Sequence, residues 1–204
     1  MKNLTIEKFT ELTASKSAVP GGGSAAALCG GLSAALVEMV ANLTIGNKKY
    51  PDAERNLTAV REKATILHGE LLDYIEKDSE AYMLVMNAYK LPKNTVDEKT
   101  VRAEAIQNAL KQAAVIPMEI ASMACRVMEL SKEVVEHGNK NAVTDGMVSA
   151  MLARTATLAA LLNVRINLSS IKDSSFVVIM EKQAGELQKK CIIEEDSILN
   201  SVTL

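Results

Sequence analysis

The sequence predicts an all-α protein, an antiparallel bundle of about seven helices forming a single domain over residues 1–204. Three observations carry this reading. Ala, Leu, Met, Glu and Lys, which lose little side-chain freedom in a helix, abound along the chain. No run of useful length alternates apolar and polar residues as a half-buried strand does. Gly and Pro number only 10 and 4, and they cluster at points that cut the chain into helix-length pieces.

The pieces follow in order. Leu4 to Ala14 is a short helix that mixes charged and apolar residues. "PGGG" precedes a second helix from Ser24 to Ile45, and "GNKKYP" closes it. The third, Asp52 to Ala88, ends before "LPKNT" around Pro92. Pro117 marks a kink or a helix start, so Asp97 to Ile116 and Pro117 to Glu136 are read as separate helices. After "HGNKN" come Asp145 to Asn167 and Lys172 to Leu199. Each gap is short, which makes neighbouring helices antiparallel.

Composition narrows the function classes. Lys and Arg number 23 against 25 Asp and Glu, so there is no basic field to attract nucleic acid. Aromatic residues make up 3% with no Trp, too few for a base-stacking platform. Cys29, Cys125 and Cys191 are odd in number and widely spaced, which points to reduced thiols rather than a disulfide framework or a metal site. The opening "MKNLTIEKFTELTASK" lacks the continuous apolar core of a signal peptide, and the expected location is cytoplasmic.

The stretch from Val19 to Tyr50 holds a single charge, Glu38, ahead of its closing lysines. Gly21, Gly23 and Ala26 fit a loose dinucleotide fingerprint, but no strand precedes them and Glu38 lies within the same helix, so a Rossmann reading fails. No phosphate-binding P-loop pattern occurs either. Ser24 to Ile45 is long enough to cross a bilayer, at about 33 Å. Ser24, Ser33, Glu38, Asn42 and Thr44 interrupt it, however, and a buried helix or a subunit interface is expected instead of a membrane span. Ala27, Gly31 and Ala35 would let neighbouring helices come close. The glycines themselves are either a tight turn or a set of backbone N–H groups able to receive an anion at a helix start.

The third helix carries the most informative pattern. Leu57, Val60, Ala64, Leu67, Leu71, Tyr74, Asp78, Ala81 and Val85 follow one another at steps of three and four, the spacing of one buried face. Asp78 is the one acid in that series. Two readings stand: a buried ion pair or a cap for a neighbouring helix, or a carboxylate whose proton affinity is raised by desolvation and which moves protons near neutrality. Tyr82, one turn on, shares its face. His68 lies at the edge of the seam, and His137 precedes Gly138 as a helix-ending histidine does; neither reads as a base or a metal ligand. Asn163 and Asn167 continue a four-residue step from Thr155, as buried hydrogen-bonding groups or as substrate contacts.

Read together, "PGGGSAAAL", "ALVEMVANLTIGNKKY", "DSEAY", "AYKLPKNT" and "LLNVRINL" resemble the cyclodeaminase/cyclohydrolase family of folate enzymes. The likeness keeps the same order from the first helix to Leu168. It implies a helical subunit that forms a homodimer, a tetrahydrofolate derivative as substrate in a cleft near the glycine turn and the subunit contact, and no prosthetic group or metal. It also implies that Asp78, in "DSEAY", is catalytic. Gly21, Gly22, Gly23, Ser24, Lys48, Lys49, Tyr82, Lys93, Asn163 and Asn167 are then the candidate substrate contacts, with the lysines placed to attract the glutamate tail of folate. Two reactions fit: hydrolysis of 5,10-methenyltetrahydrofolate to 10-formyltetrahydrofolate, or closure of 5-formiminotetrahydrofolate with loss of ammonia. The lack of a formiminotransferase segment in these residues and the look of "NLTIGNKKY" and "AYKLPKNT" favour the cyclohydrolase. A helical scaffold without the reaction is the remaining alternative, and the acid at position 78 argues against it.

Overall fold

A computed structural model describes residues 1–203. Six α-helices account for most of them: α1 (Ile6–Ala14), α2 (Gly22–Asn42), α3 (Glu54–Tyr89), α4 (Val96–His137), α5 (Val143–Leu168) and α6 (Ser174–Asn200). Single 3-10 turns at Pro51–Ala53 and Lys140–Ala142 lead into α3 and α5. No strand is present among the described residues. One hydrophobic core runs from Phe9 to Ile198.

The expected break at Pro117 is absent. Pro117 lies inside the 42-residue α4, so the helices anticipated on either side of it are one, and the bundle has six helices rather than seven. A proline lacks the N–H that would bond the carbonyl four residues back. That carbonyl belongs to Ala113, and the side-chain amide of Asn167 on α5 donates to it at 2.7 Å. A tertiary contact thus satisfies the group that the proline leaves unpaired.

Short connections make α2 through α5 an up-down-up-down body. α2 packs on α3 and α5, α4 packs on the same two, and α6 lies across α4 and α5. Small residues set the spacing: a Cβ on Gly30 would stand 3.1 and 3.2 Å from the Leu71 methyls and 3.5 Å from the Ala156 Cβ. Ser33, Ser131 and Ser149 tie α2, α4 and α5 together through buried hydroxyl bonds of 2.8 to 3.0 Å. Because α3 and α4 are longer than α2, their hairpin continues past the start of α2 and displays Tyr82, Met83, Leu84 and Tyr89.

The seam on α3 is buried at Leu57, Val60, Ala64, Leu67 and Leu71, then shifts to Ile75 and Ser79. Tyr74 is left half-buried, with its hydroxyl donating to Glu119 at 2.9 Å. A straight helix turns by about 20° per heptad relative to a seven-residue repeat, so a seam written in steps of three and four drifts off the core over this length.

α2 and α5 both have the length and hydropathy of a membrane-crossing helix. Their inner faces account for part of that. α2 buries Ala26, Ala27, Gly30, Gly31, Ala34, Val37, Val40 and Ala41. Its outer face is apolar too, exposing Leu28, Leu32, Met39 and Leu43, and the adjoining α5 exposes Val148, Met151, Leu162 and Ile166.

Candidate functional site

The start of α2 is the end of the bundle where the expected residues meet. The chain reaches it through a cis Val19–Pro20 bond, and Gly21 is the N-cap. Gly22 and Gly23 are not a turn ahead of the helix, as the sequence suggests, but join Ser24 in its first turn. Three other helices carry their own caps: Thr5 begins α1, Thr95 with Glu98 forms a capping box on α4, and Asp173 begins α6, while α3 and α5 are entered through 3-10 turns. Gly21 has no side chain to cap with. The exposed donors of α2 therefore need an acceptor from another element.

Asp78 supplies it. Its Oδ2 accepts the Ser24 hydroxyl at 2.9 Å, and the Ser24 backbone N–H also donates to the carboxylate. The fit depends on glycine: a Cβ on Gly23 would lie 2.0 Å from Asp78 Oδ1 and 2.5 Å from its Cγ. The carboxylate fills the place where a side chain would stand. The cap that sequence reasoning offered as one reading of Asp78 is thus present, with the acid lying over the positive end of a helix dipole.

Ser24 is wholly buried, so the substrate contact expected of it gives way to a contact with Asp78. Its Oγ lies 3.1 Å from the Ile75 carbonyl and 3.2 Å from the Ser79 Oγ as well. Ser79 reaches the same Ile75 carbonyl at 3.3 Å and the Met1 sulfur at 3.6 Å. Sequence reasoning missed Ser79 and the Ile75 carbonyl, although Ser79 adjoins Asp78 in "DSEAY". Only the fold reveals that both face Ser24.

Burial pushes the Asp78 carboxyl above the usual carboxylate range, while the two Ser24 hydrogen bonds pull it partly back. No charged neighbour enters that balance. The charges next to it in sequence are engaged elsewhere: Glu76 pairs with the terminal ammonium of Met1, and the Lys77 ammonium lies 4.0 Å from the centre of the Tyr74 ring. Asp78 stays half-buried rather than sealed, and Gly22 beside it is exposed.

The other candidates divide by position. Asn163 stands against Gly22, where a Cβ would be 3.2 Å from its Nδ2, and that nitrogen donates to the Ala159 carbonyl at 2.9 Å. Tyr82 lies one turn past Asp78 with 38% of its surface exposed. Asn167 has its amide nitrogen committed to the Ala113 and Asn163 carbonyls. Lys93 is exposed in the turn after α3, beyond roughly 16 Å of helix rise from Asp78. Lys48 and Lys49 lie past the far end of α2, roughly 30 Å from the glycines along its 21 residues. Within one subunit, the lysines and Asp78 are not brought together.

His68 is placed against Glu38, with Nδ1 at 2.9 Å from Oε1, while Thr65 donates to the other oxygen at 2.8 Å. Among the described residues no group of three or more His, Cys, Asp or Glu side chains gathers to hold a metal ion. A groove of about 470 Å³ between α4 and α6 is lined by Met118, Glu119, Gln183, Glu186 and Lys190, and it contains none of the expected site residues. The cluster at Asp78 lies instead on an open face at the start of α2. What it can do chemically is accept and return one proton and place a negative charge beside a cation.

Comparison with known proteins places the sequence and its fold. Residues 5–186 match the model of the formiminotransferase-cyclodeaminase family. A methenyltetrahydrofolate cyclohydrolase from Methylorubrum extorquens is 43% identical over 186 residues, covering 91% of this chain and 88% of that one. A formimidoyltransferase-cyclodeaminase from Mus musculus is 31% identical over 97% of this chain, which spans 37% of the mouse protein. The crystal structure of a formiminotetrahydrofolate cyclodeaminase from Thermotoga maritima superimposes with a TM-score of 0.86 at 30% identity, covering 98% of each chain.

Proposed function

The chain belongs to the formiminotransferase-cyclodeaminase family, and from that membership we propose that it hydrolyses 5,10-methenyltetrahydrofolate to 10-formyltetrahydrofolate with Asp78 as its acid–base group. The observation that carries the chemistry is the carboxylate itself: half-buried, raised in proton affinity by desolvation, and fixed at the start of α2 by Ser24. The reaction is chosen by the relative with which identity is higher and which matches over most of its length, the cyclohydrolase.

In this reading the substrate's methenyl carbon, an amidinium cation, lies against Asp78. Water adds to that carbon and the carboxylate takes its proton. The tetrahedral carbon then releases N5, to which Asp78 returns the proton, and the remaining hydroxyl proton leaves to solvent as the formyl group forms. The negative charge of Asp78 also favours the cationic states that flank the intermediate. Cyclodeamination uses the same group on a different pair of nitrogens, and the family includes both chemistries. Purified protein supplied separately with each folate decides between them: accelerated loss of the near-ultraviolet absorbance of the methenyl compound supports hydrolysis. A rise in that absorbance from 5-formiminotetrahydrofolate, without accelerated hydrolysis, overturns it in favour of the cyclodeaminase.

We infer further that the working unit is a homodimer, in the cytoplasmic setting that the three free thiols fit. Supporting it is the outer face of α2, where Leu28, Leu32, Met39 and Leu43 are exposed beside the apolar face of α5. These four residues are spaced symmetrically about a point between Ala35 and Leu36, so an antiparallel pairing about a two-fold axis there sets Leu28 against Leu43 of the partner subunit and Leu32 against Met39 of the partner subunit. The same antiparallel pairing brings the turn that follows α2, with Lys48 of the partner subunit, towards the glycine end of α2. That arrangement gives the distant lysines a route to the site at Asp78.

A further inference from the structure

We propose that Ser24 is the positioning residue for Asp78, its hydroxyl donating to the ionised carboxylate and turning to the Ile75 carbonyl when the carboxyl is protonated, so that Asp78 keeps one place through both halves of a proton-transfer cycle. The proposal rests on Asp78 being the proton-transfer group.

A general acid–base group must be held equally well with and without its proton. An N–H can still donate to the carbonyl oxygen of the protonated acid, but it has no lone pair to receive the acid proton. A hydroxyl does both. Ser24 Oγ has Asp78 Oδ2 at 2.9 Å and the Ile75 carbonyl at 3.1 Å, two acceptors for its single proton. With Asp78 ionised, the Ser24 proton points to Oδ2, and Ser79 donates to Ser24 at 3.2 Å or to the Ile75 carbonyl at 3.3 Å. With Asp78 protonated, its O–H donates to Ser24 Oγ, Ser24 donates to the Ile75 carbonyl, and Ser79 turns to the Met1 sulfur at 3.6 Å. Both arrangements use the same heavy-atom positions and differ only by rotation of hydroxyl hydrogens. Ser24 and Ser79 are both buried, so water does not compete for these bonds.

Three further features fit this role. Ile75 and Ser79 precede and follow Asp78 on α3, so the hydroxyl spans the helix that carries the acid. Gly23 leaves room for the carboxylate against α2, as no other residue would. Of the elements packed around the acid, α2 presents Gly23 and Ser24, and α5 presents the neutral amide of Asn163 against Gly22. On its own helix, Glu76 is held by the Met1 ammonium and Lys77 lies over Tyr74. With no ion pair to fix Asp78, its place depends on Ser24.

The test is a carboxyl carbon-13 titration of Asp78 in the full-length protein labelled at aspartate, with Asp78→Asn identifying the resonance, measured in wild type, Ser24→Ala and Ser24→Cys. Loss of the hydroxyl donor is expected to raise the Asp78 midpoint by about one pH unit, and the weakly donating thiol is expected to fall between. The acid limb of the pH–rate profile for methenyl hydrolysis should move by the same amount, with the maximal rate of Ser24→Ala at least about tenfold lower. An unmoved midpoint in both variants overturns the proposal, as does a rate loss with an unmoved profile. If Ser24→Ala fails to fold, Ser24→Cys against wild type decides alike. Because the titration needs no turnover, a moved midpoint in a protein that turns over no folate separates failure of the functional reading from failure of this one.

Discussion

Replacing Gly23 by alanine sets the geometry of the site against its stability. The added Cβ would stand 2.0 Å from Asp78 Oδ1, where ordinary contact begins at 3.4 Å, so the carboxylate must retreat by 3.4 − 2.0 = 1.4 Å. A retreat of that size breaks the 2.9 Å bond from Ser24. Misplacing a reacting group by 1 Å costs about a hundredfold in rate, or about 2.7 kcal/mol of transition-state stabilisation. Stability changes less, because the lost hydrogen bond of about 1.5–3 kcal/mol is offset by up to about 1 kcal/mol from alanine's better helix propensity. We expect Gly23→Ala to keep its helical circular dichroism, to lose about 1–2 kcal/mol of stability, and to hydrolyse 5,10-methenyltetrahydrofolate about a hundredfold more slowly than wild type. Rate is read from absorbance decay and stability from urea unfolding. Turnover within about threefold of wild type would refute the claim that the carboxylate must occupy the space over Gly23.

Three other outcomes follow from the same structure. Asn167→Ala leaves the Ala113 carbonyl unpaired and is expected to cost about 1–3 kcal/mol, whereas adding Pro117→Ala restores a backbone donor and recovers much of that loss; equal effects of Pro117→Ala in both backgrounds in urea unfolding would break the link. Asp78→Asn, which mimics the protonated acid, should be more stable than wild type at neutral pH. Because the folded-state pKa of Asp78 is raised, its contribution to stability is fully present below the unfolded pKa and is lost as pH rises through the folded one, so the two melting curves should converge in acid and separate towards neutrality. A gap that is independent of pH would mean the carboxyl is unshifted. Mixing Asp78→Asn subunits with Lys48→Ala subunits should restore about a quarter of wild-type activity after subunit exchange, since half of the dimers are mixed and each of those has one intact site of two; no recovery in a demonstrated hybrid would place Lys48 outside the partner's site.

Much of this architecture is legible in the sequence because it depends on local rules. Gly and Pro mark most helix ends, and the step of three and four on α3 locates the buried face as far as Leu71 and brings the acid to its edge. Pro117 defeats the same rules, because the group that lets a helix pass through a proline is an asparagine 50 residues away on another helix. Ser24 is misread for a related reason. In the chain it stands beside the glycines as a candidate substrate contact, and only packing of α2 on α3 turns its hydroxyl inward to Asp78. The lysines of "GNKKY" are visible as a motif but not as a position, since α2 carries them to the opposite end of the subunit.

The central claim is that Asp78 moves the proton in methenyl hydrolysis, and the most direct measurement follows 5,10-methenyltetrahydrofolate absorbance with wild-type protein and Asp78→Asn side by side, against the spontaneous rate. The account predicts rapid decay with wild type and a loss of at least about a thousandfold in the folded Asn variant, within the range by which general acid–base groups act. Decay by Asp78→Asn as fast as wild type, or no acceleration by wild type, would contradict it.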